Sequence, residues 1–147
     1  MAKKVTEELG IEVANFPEYK NITPEFDVVS LRHVLEHLPD SIAAMNKISG
    51  LLKNKGFAII EVPNIESIVM KFQRFFNRIN IIKKKYSANY VSGHCNEFGI
   101  EAFKNLLQKT GFCLIEWETY SKKPISNFIY NKIKTGAHMR CLIPKKD

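Results

Sequence analysis

The sequence predicts an α/β domain built on a mostly parallel sheet with helices on both faces, and three observations predict it. Phe26 to Leu31 is a β-rich apolar run, the composition of a strand covered on both faces of a parallel sheet. Ile42, Met45, Ile48 and Leu52 then recur at helical spacing before a second such run, Phe57 to Val62. A strand, helix and strand joined this way form a right-handed crossover, so the two strands are expected to be parallel and close together. Helical and extended segments continue to alternate towards the C-terminus, the third observation.

Taken in order, Val5 to Leu9 reads as the tail of a helix stopped by Gly10, and Ile11 to Ala14 as a short strand. Pro17 and Pro24 bracket a loop ahead of the Phe26 strand. Asp40, after Pro39, is placed to cap the first helix, and Asn54-Lys55-Gly56 to end it. Val69, Met70, Phe72, Phe75, Phe76, Ile79 and Ile82 fall largely on one face of an amphipathic helix or helix pair, with Lys71, Arg74 and Arg78 interleaved. That apolar stripe requires a cover: its own sheet, a partner chain or an anionic surface, the first being the expected one. Lys83-Lys84-Lys85 and Tyr86 to Gly93 read as loop. Ile100, Phe103, Leu106 and Leu107 mark a further helix, stopped at Gly111 before a strand over Phe112 to Trp117. A mixed loop leads to a last strand, Met139 to Ile143, and the terminal strands can add antiparallel pairing at one edge.

With 147 residues and 45% hydrophobic content, the chain suits one domain with a real core. No apolar run approaches the ~20 residues of a membrane span, and Met-Ala-Lys-Lys is not a secretory start, so a cytoplasmic protein is expected. Cys95, Cys113 and Cys141 are odd in number and widely spaced, and read as free thiols; without close Cys/His pairs no metal site is expected. The net charge of +7 is concentrated late: residues 67 to 96 hold six basic residues and no acid, and 119 to 147 hold seven against one. A solvated face is the ordinary explanation of such a stripe, and nucleic acid is not the expected partner.

One stretch is more specific: Phe26-Asp27-Val28-Val29-Ser30-Leu31-Arg32-His33-Val34-Leu35-Glu36-His37-Leu38-Pro39-Asp40. With Leu51 to Gly56, Glu61-Val62-Pro63-Asn64, His94, Phe98 and Gly111-Phe112, it resembles the central and C-terminal part of the class I S-adenosylmethionine-dependent methyltransferases. The resemblance implies a partial, Rossmann-like methyltransferase fold, N-terminally truncated, with S-adenosylmethionine as cofactor. It implies that residues just after Ile11 to Ala14, Asn15 among them, approach the adenine. It further implies that Leu31, Arg32 and His33 line the methionine end of the cofactor, and that Glu61, Pro63, Asn64 and His94 border the acceptor. None of the seven glycines forms a Gly-x-Gly turn, so cofactor binding by this chain alone is expected to be weak or absent.

His33, Glu36 and His37 are the strongest chemical constellation. On a helix, positions i, i+3 and i+4 share a face, so two imidazoles and a carboxylate would converge. Such a set can take a proton from an acceptor hydroxyl or hold a divalent ion; alternatively Glu36 and His37 brace the turn through backbone hydrogen bonds. His94 matches a position near the pocket, and His138 is expected to be structural. The functional expectation is methyl transfer to a small-molecule or glycan-type acceptor once an upstream methyltransferase fragment completes the site. The alternative is a non-catalytic binding or assembly module, forming a homo-oligomer or other assembly through an exposed sheet edge.

Overall fold

The computed structural model describes residues 26–79, 93–121 and 124–145. The segments expected over Val5 to Leu9 and Ile11 to Ala14, Asn15, Ile82 at the end of the amphipathic stripe, and loop residues 83–92 lie outside the described residues. Among the described residues, four strands, β1 (Phe26–Arg32), β2 (Leu52–Pro63), β3 (Glu116–Tyr120) and β4 (His138–Pro144), form one sheet in the order β1-β2-β4-β3. Four helices accompany them: α1 (Ser41–Leu51), α2 (Ile68–Arg78), α3 (Ile100–Lys109) and α4 (Pro124–Lys132).

The crossover unit is as expected. β1 and β2 are parallel, with Val29 opposite Ala58 and Leu31 opposite Ile60. β4 then pairs antiparallel with both β2 and β3, so the last strand lies inside the sheet rather than at its rim. The Asp40 carboxylate accepts from Ala43 N at 2.9 Å and caps α1, satisfying one of the helix's orphan donors. The C-terminus of α1 differs from the expectation. Leu52 is its C-cap, and Asn54-Lys55-Gly56 belong to an irregular start of β2, where the register with β1 shifts between Phe26 and Val28. Lys55 takes a positive φ of 65°, and a Cβ on Gly56 would lie 3.0 Å from Lys53 O and 3.2 Å from Asp27 O. Glycine is needed there for close strand approach, not for a helix stop.

The core forms where α1 and α3 meet each other and the sheet. Met45, Ile48, Leu52, Ile60, Phe103, Leu107, Phe112, Met139 and Ile143 are fully buried, each contributing ~1.5–3 kcal/mol through lost apolar exposure. α3 ends as expected, with Gly111 at φ 73° and Phe112 N returning to Leu107 O at 3.0 Å.

Four further expectations are corrected. β1 is not covered on both faces: Phe26 and Val28 are over 40% exposed and only Leu31 is buried, because β1 is the edge of the described sheet. The strand expected over Phe112 to Trp117 begins at Glu116, since β4 offers a continuous ladder only to residues 116–120, while Phe112 makes a single bridge to Lys145. The expected mixed loop contains α4, which starts at Pro124, a residue whose fixed φ suits a first helical turn. The amphipathic helix is real, and Ser67 Oγ caps it by accepting from Met70 N at 3.3 Å. Yet its own sheet does not cover it: none of its residues is buried, and Phe72 and Phe75 are 56% and 57% exposed.

Candidate functional site

At the carboxyl end of β1, His33 N still donates to Glu61 O at 2.9 Å, so its backbone remains tied to β2. Its φ of 52° then turns the chain abruptly, a left-handed conformation unusual for a residue with a side chain. A 3-10 turn over Leu35–His37 follows, burying Leu35 and Glu36 completely or nearly so. His33, Glu36 and His37 therefore do not share the face of an α-helix; the backbone reverses between strand and turn instead. His33 and Glu36 still meet, with Nδ1 and Oε1 3.2 Å apart, and His33 Nε2 lies 3.2 Å from Glu61 Oε1.

A second segment closes over this turn. Cys95 N and Asn96 N both donate to Glu36 O, at 2.7 and 3.0 Å, and Asn96 Nδ2 donates to Leu38 O at 2.6 Å. These bonds carry His94 to His37, with ring centroids 5.0 Å apart at 83°. His37 Nδ1 pairs with Gly93 O at 2.7 Å and His94 Nδ1 with Glu97 Oε1 at 3.1 Å. One ligating atom each from Glu36, His37 and His94 lies within 4.8 Å of the others. Glu36 Oε2 is buried without a hydrogen-bond partner in the structure.

Glu61, on β2, anchors the other wall. Its side chain is 1% exposed and is reached by Arg32 Nη2 at 3.3 Å, Arg140 Nη2 at 3.2 Å and the Tyr120 hydroxyl. Burial pushes the Glu61 carboxyl up, but the hydrogen bonds from Tyr120, Arg32 and Arg140 outweigh it and hold the group below the usual carboxylate range. Burial, and then the hydrogen bond to the Glu61 carboxylate, push the Tyr120 phenol up. Tyr120 and His138 are opposite one another on β3 and β4 and stack at 5.1 Å, while His138 meets His33 edge-on at 4.9 Å.

These walls border an open cavity of about 580 Å³ at the carboxyl ends of the parallel pair. Arg32, His33, Glu36, His37, Glu61, Pro63 and His94, all selected from the sequence, line it, together with Tyr120 and His138. All four histidines of the chain thus face one space. Leu31 is instead a core residue, and Asn64 is buried structurally, donating to Gly136 O at 3.0 Å and accepting from Glu66 N at 2.9 Å. Asn15 lies outside the described residues. Tyr120, Arg140 and the pocket position of His138 escape a sequence reading because only the insertion of β4 beside β2 brings them to Glu61. A larger cavity, about 710 Å³, lies between β3 and α4, but Lys134 in its lining is already bound to Trp117 O and Asn131 Oδ1, and Arg140 to Glu61 and Glu118. The 580 Å³ cavity gathers the four histidines with the Glu36 and Glu61 side chains and is the candidate site.

A methyltransferase-domain family matches residues 4–116 of this chain. The chain belongs to that family. No curated protein matches it. Among solved structures, it is similar to an S-adenosylmethionine-dependent methyltransferase of Thermotoga maritima, at 17% identity and a TM-score of 0.64, covering 99% of this chain and 68% of that one. The [4+2]-cyclase SpnF follows at 13% and 0.63, covering 99% and 61%. A Haloferax volcanii methyltransferase, solved in complex with the Trm112 methyltransferase activator, matches at 10% and 0.61, covering 91% and 60%. The chain therefore spans about two thirds of the length of these proteins, and at such identities the likeness establishes the mixed α/β, partial Rossmann-like fold.

Proposed function

We propose that this domain forms the acceptor side of an S-adenosylmethionine-dependent methyl-transfer site, acting on an oxygen, nitrogen or carbon of a small-molecule or glycan-type acceptor. The observation that carries the reading is the cavity itself: open α/β sheets bind ligands beyond the carboxyl ends of their strands, and seven residues singled out by sequence line this one. The residues present suit a sulfonium, because Glu36 and Glu61 bring two carboxylates to the lining. When bound, the cofactor supplies the activated methyl group. The chain's part is to align the acceptor, exclude water and hold a proton. We assign the last task to His33, whose ring is held between the Glu36 and Glu61 carboxylates; one ring nitrogen must swing off its carboxylate to reach an acceptor.

The sequence contains no Gly-x-Gly turn to cradle the methionine carboxylate. We assign that cradle to a glycine-rich methyltransferase segment outside these 147 residues. The same missing turn is what favours the rival reading, a non-catalytic assembly module. Labelled methyl transfer to a panel of sugar nucleotides and small hydroxyl or amine compounds separates the two, run with the chain alone and with a glycine-rich methyltransferase segment added. Product in the mixture, lowered by His33→Ala at unchanged melting temperature, supports transfer. No labelled product in either arm leaves the assembly module as the better reading.

A further inference from the structure

We propose that Glu36, His37 and His94 form a binding site for a first-row divalent cation of the zinc or cobalt type. The binding stands apart from the methyl-transfer reading; only its use, to orient an acceptor oxygen, rests on that reading.

Three separate features point to a ligand. The first is the convergence of one carboxylate and two imidazoles, with a ligating atom from each within 4.8 Å of the others. Metal bonds of ~2.0–2.1 Å in a tetrahedral site place ligand atoms ~3.3 Å apart, so small side-chain rotations close the set. The second is Glu36 itself. Its residue is 1% exposed and its Oε2 has no partner in the structure, while Oε1 is engaged by His33 Nδ1. A buried carboxylate oxygen left unpaired is costly, and a cation is the partner that most fully offsets that cost.

The third feature is the outer support of the two rings. His37 Nδ1 is bound to a carbonyl, Gly93 O, and must donate; this leaves Nε2 with its lone pair. His94 Nδ1 faces the Glu97 carboxylate in the same manner. Histidines that ligate metals are commonly held this way, with the other ring nitrogen donating to a carbonyl or carboxylate. The two backbone bonds to Glu36 O join the segments that carry the ligands, so the set is assembled before any ion arrives.

The donor chemistry selects the ion. Two nitrogens and one oxygen suit zinc, cobalt, nickel or ferrous iron, whereas magnesium and calcium favour oxygen throughout. Three protein ligands leave the remaining positions open to the cavity, to water or to an acceptor oxygen. The neighbouring Cys95 is not part of the set: its Sγ is 3.4 Å from His37 O, to which it donates.

The test is a titration of the full chain with Co²⁺, followed by its visible absorption, with Zn²⁺ affinity from equilibrium dialysis and no S-adenosylmethionine present. One equivalent should bind. His94→Ala and Glu36→Gln should each weaken Zn²⁺ binding at least tenfold, Glu97→Gln should weaken it less, and Cys95→Ser should leave it unchanged. If Glu36→Gln lowers the melting temperature sharply, His94→Ala decides alone, being a loop substitution. Wild-type affinity in His94→Ala, loss of binding in Cys95→Ser, or Mg²⁺ bound as tightly as Zn²⁺ would overturn the assignment. Zn²⁺ binding by a chain that never transfers methyl would leave this site standing and remove the proposed function.

Discussion

Glu61 is the residue on which the pocket's polar wall depends, since Arg32, Arg140, Tyr120 and His33 all reach its carboxylate. Glu61→Gln should destabilise the chain by ~1–3 kcal/mol, the range for a broken buried hydrogen-bond set, with the upper end discounted because both guanidinium groups are substantially exposed. The pH dependence has a definite sign. A carboxyl group held below its usual range stabilises the fold above the unfolded pKa, about 4.3, and that contribution disappears as pH falls through the folded value. Melting temperatures measured downward from pH 6 should therefore fall less steeply in Glu61→Gln than in the wild type; parallel curves would show that Glu61 contributes nothing to acid sensitivity. The cysteines give a second test. Burial pushes the Cys141 thiol up to about 12, while Cys95 and Cys113 are exposed. Thiol-reactive probes should label two cysteines in the native chain and the third only after unfolding. At this scale the sequence was a good guide on one side of the site. His33, Glu36, His37 and Glu61 are contiguous with strand patterns that can be read directly, but Tyr120 and Arg140 have no local signal and acquire meaning only from sheet order.

Among the elements, the crossover unit from β1 to β2 was legible because apolar runs and helical spacing report burial directly. The start of β3 and the whole of α4 were not. β3 is defined by pairing with β4 rather than by its own composition, and α4 is short, with Phe128 and Ile129 on its exposed surface. Gly136 shows how a connection fixes two elements. A Cβ there would lie 2.5 Å from Tyr120 N, and Gly136 N donates to Thr119 Oγ1 at 3.1 Å. Gly136→Ala should force β3 away from the start of β4 and cost ~1–3 kcal/mol, read as a lowered melting temperature. α2 predicts the opposite. With Phe72 exposed, Phe72→Gln should change stability by less than ~0.5 kcal/mol, whereas Phe103→Ala, in the core of α3, should cost ~3–5 kcal/mol. A large loss from Phe72→Gln would mean that the helix has a cover after all.

For the whole molecule, the family and fold class were legible in the motif order from Phe26 to Phe112, whereas the convergence of the four histidines was not, since His94 and His138 come from segments far apart in the chain. That convergence makes the central claim measurable. If the cavity beyond β1 and β2 is the methyl-transfer site, S-adenosylmethionine should bind this chain alone more weakly than ~10 μM, about −7 kcal/mol, or not at all, and should occupy the cavity at millimolar concentration once a glycine-rich methyltransferase segment is added. NMR spectra of the chain labelled on its histidine rings, recorded during that titration, test this most directly. The account predicts that the His33 and His138 ring signals move with a common saturation curve. Binding that leaves all four histidines unmoved, or binding by the chain alone tighter than ~10 μM, would contradict it.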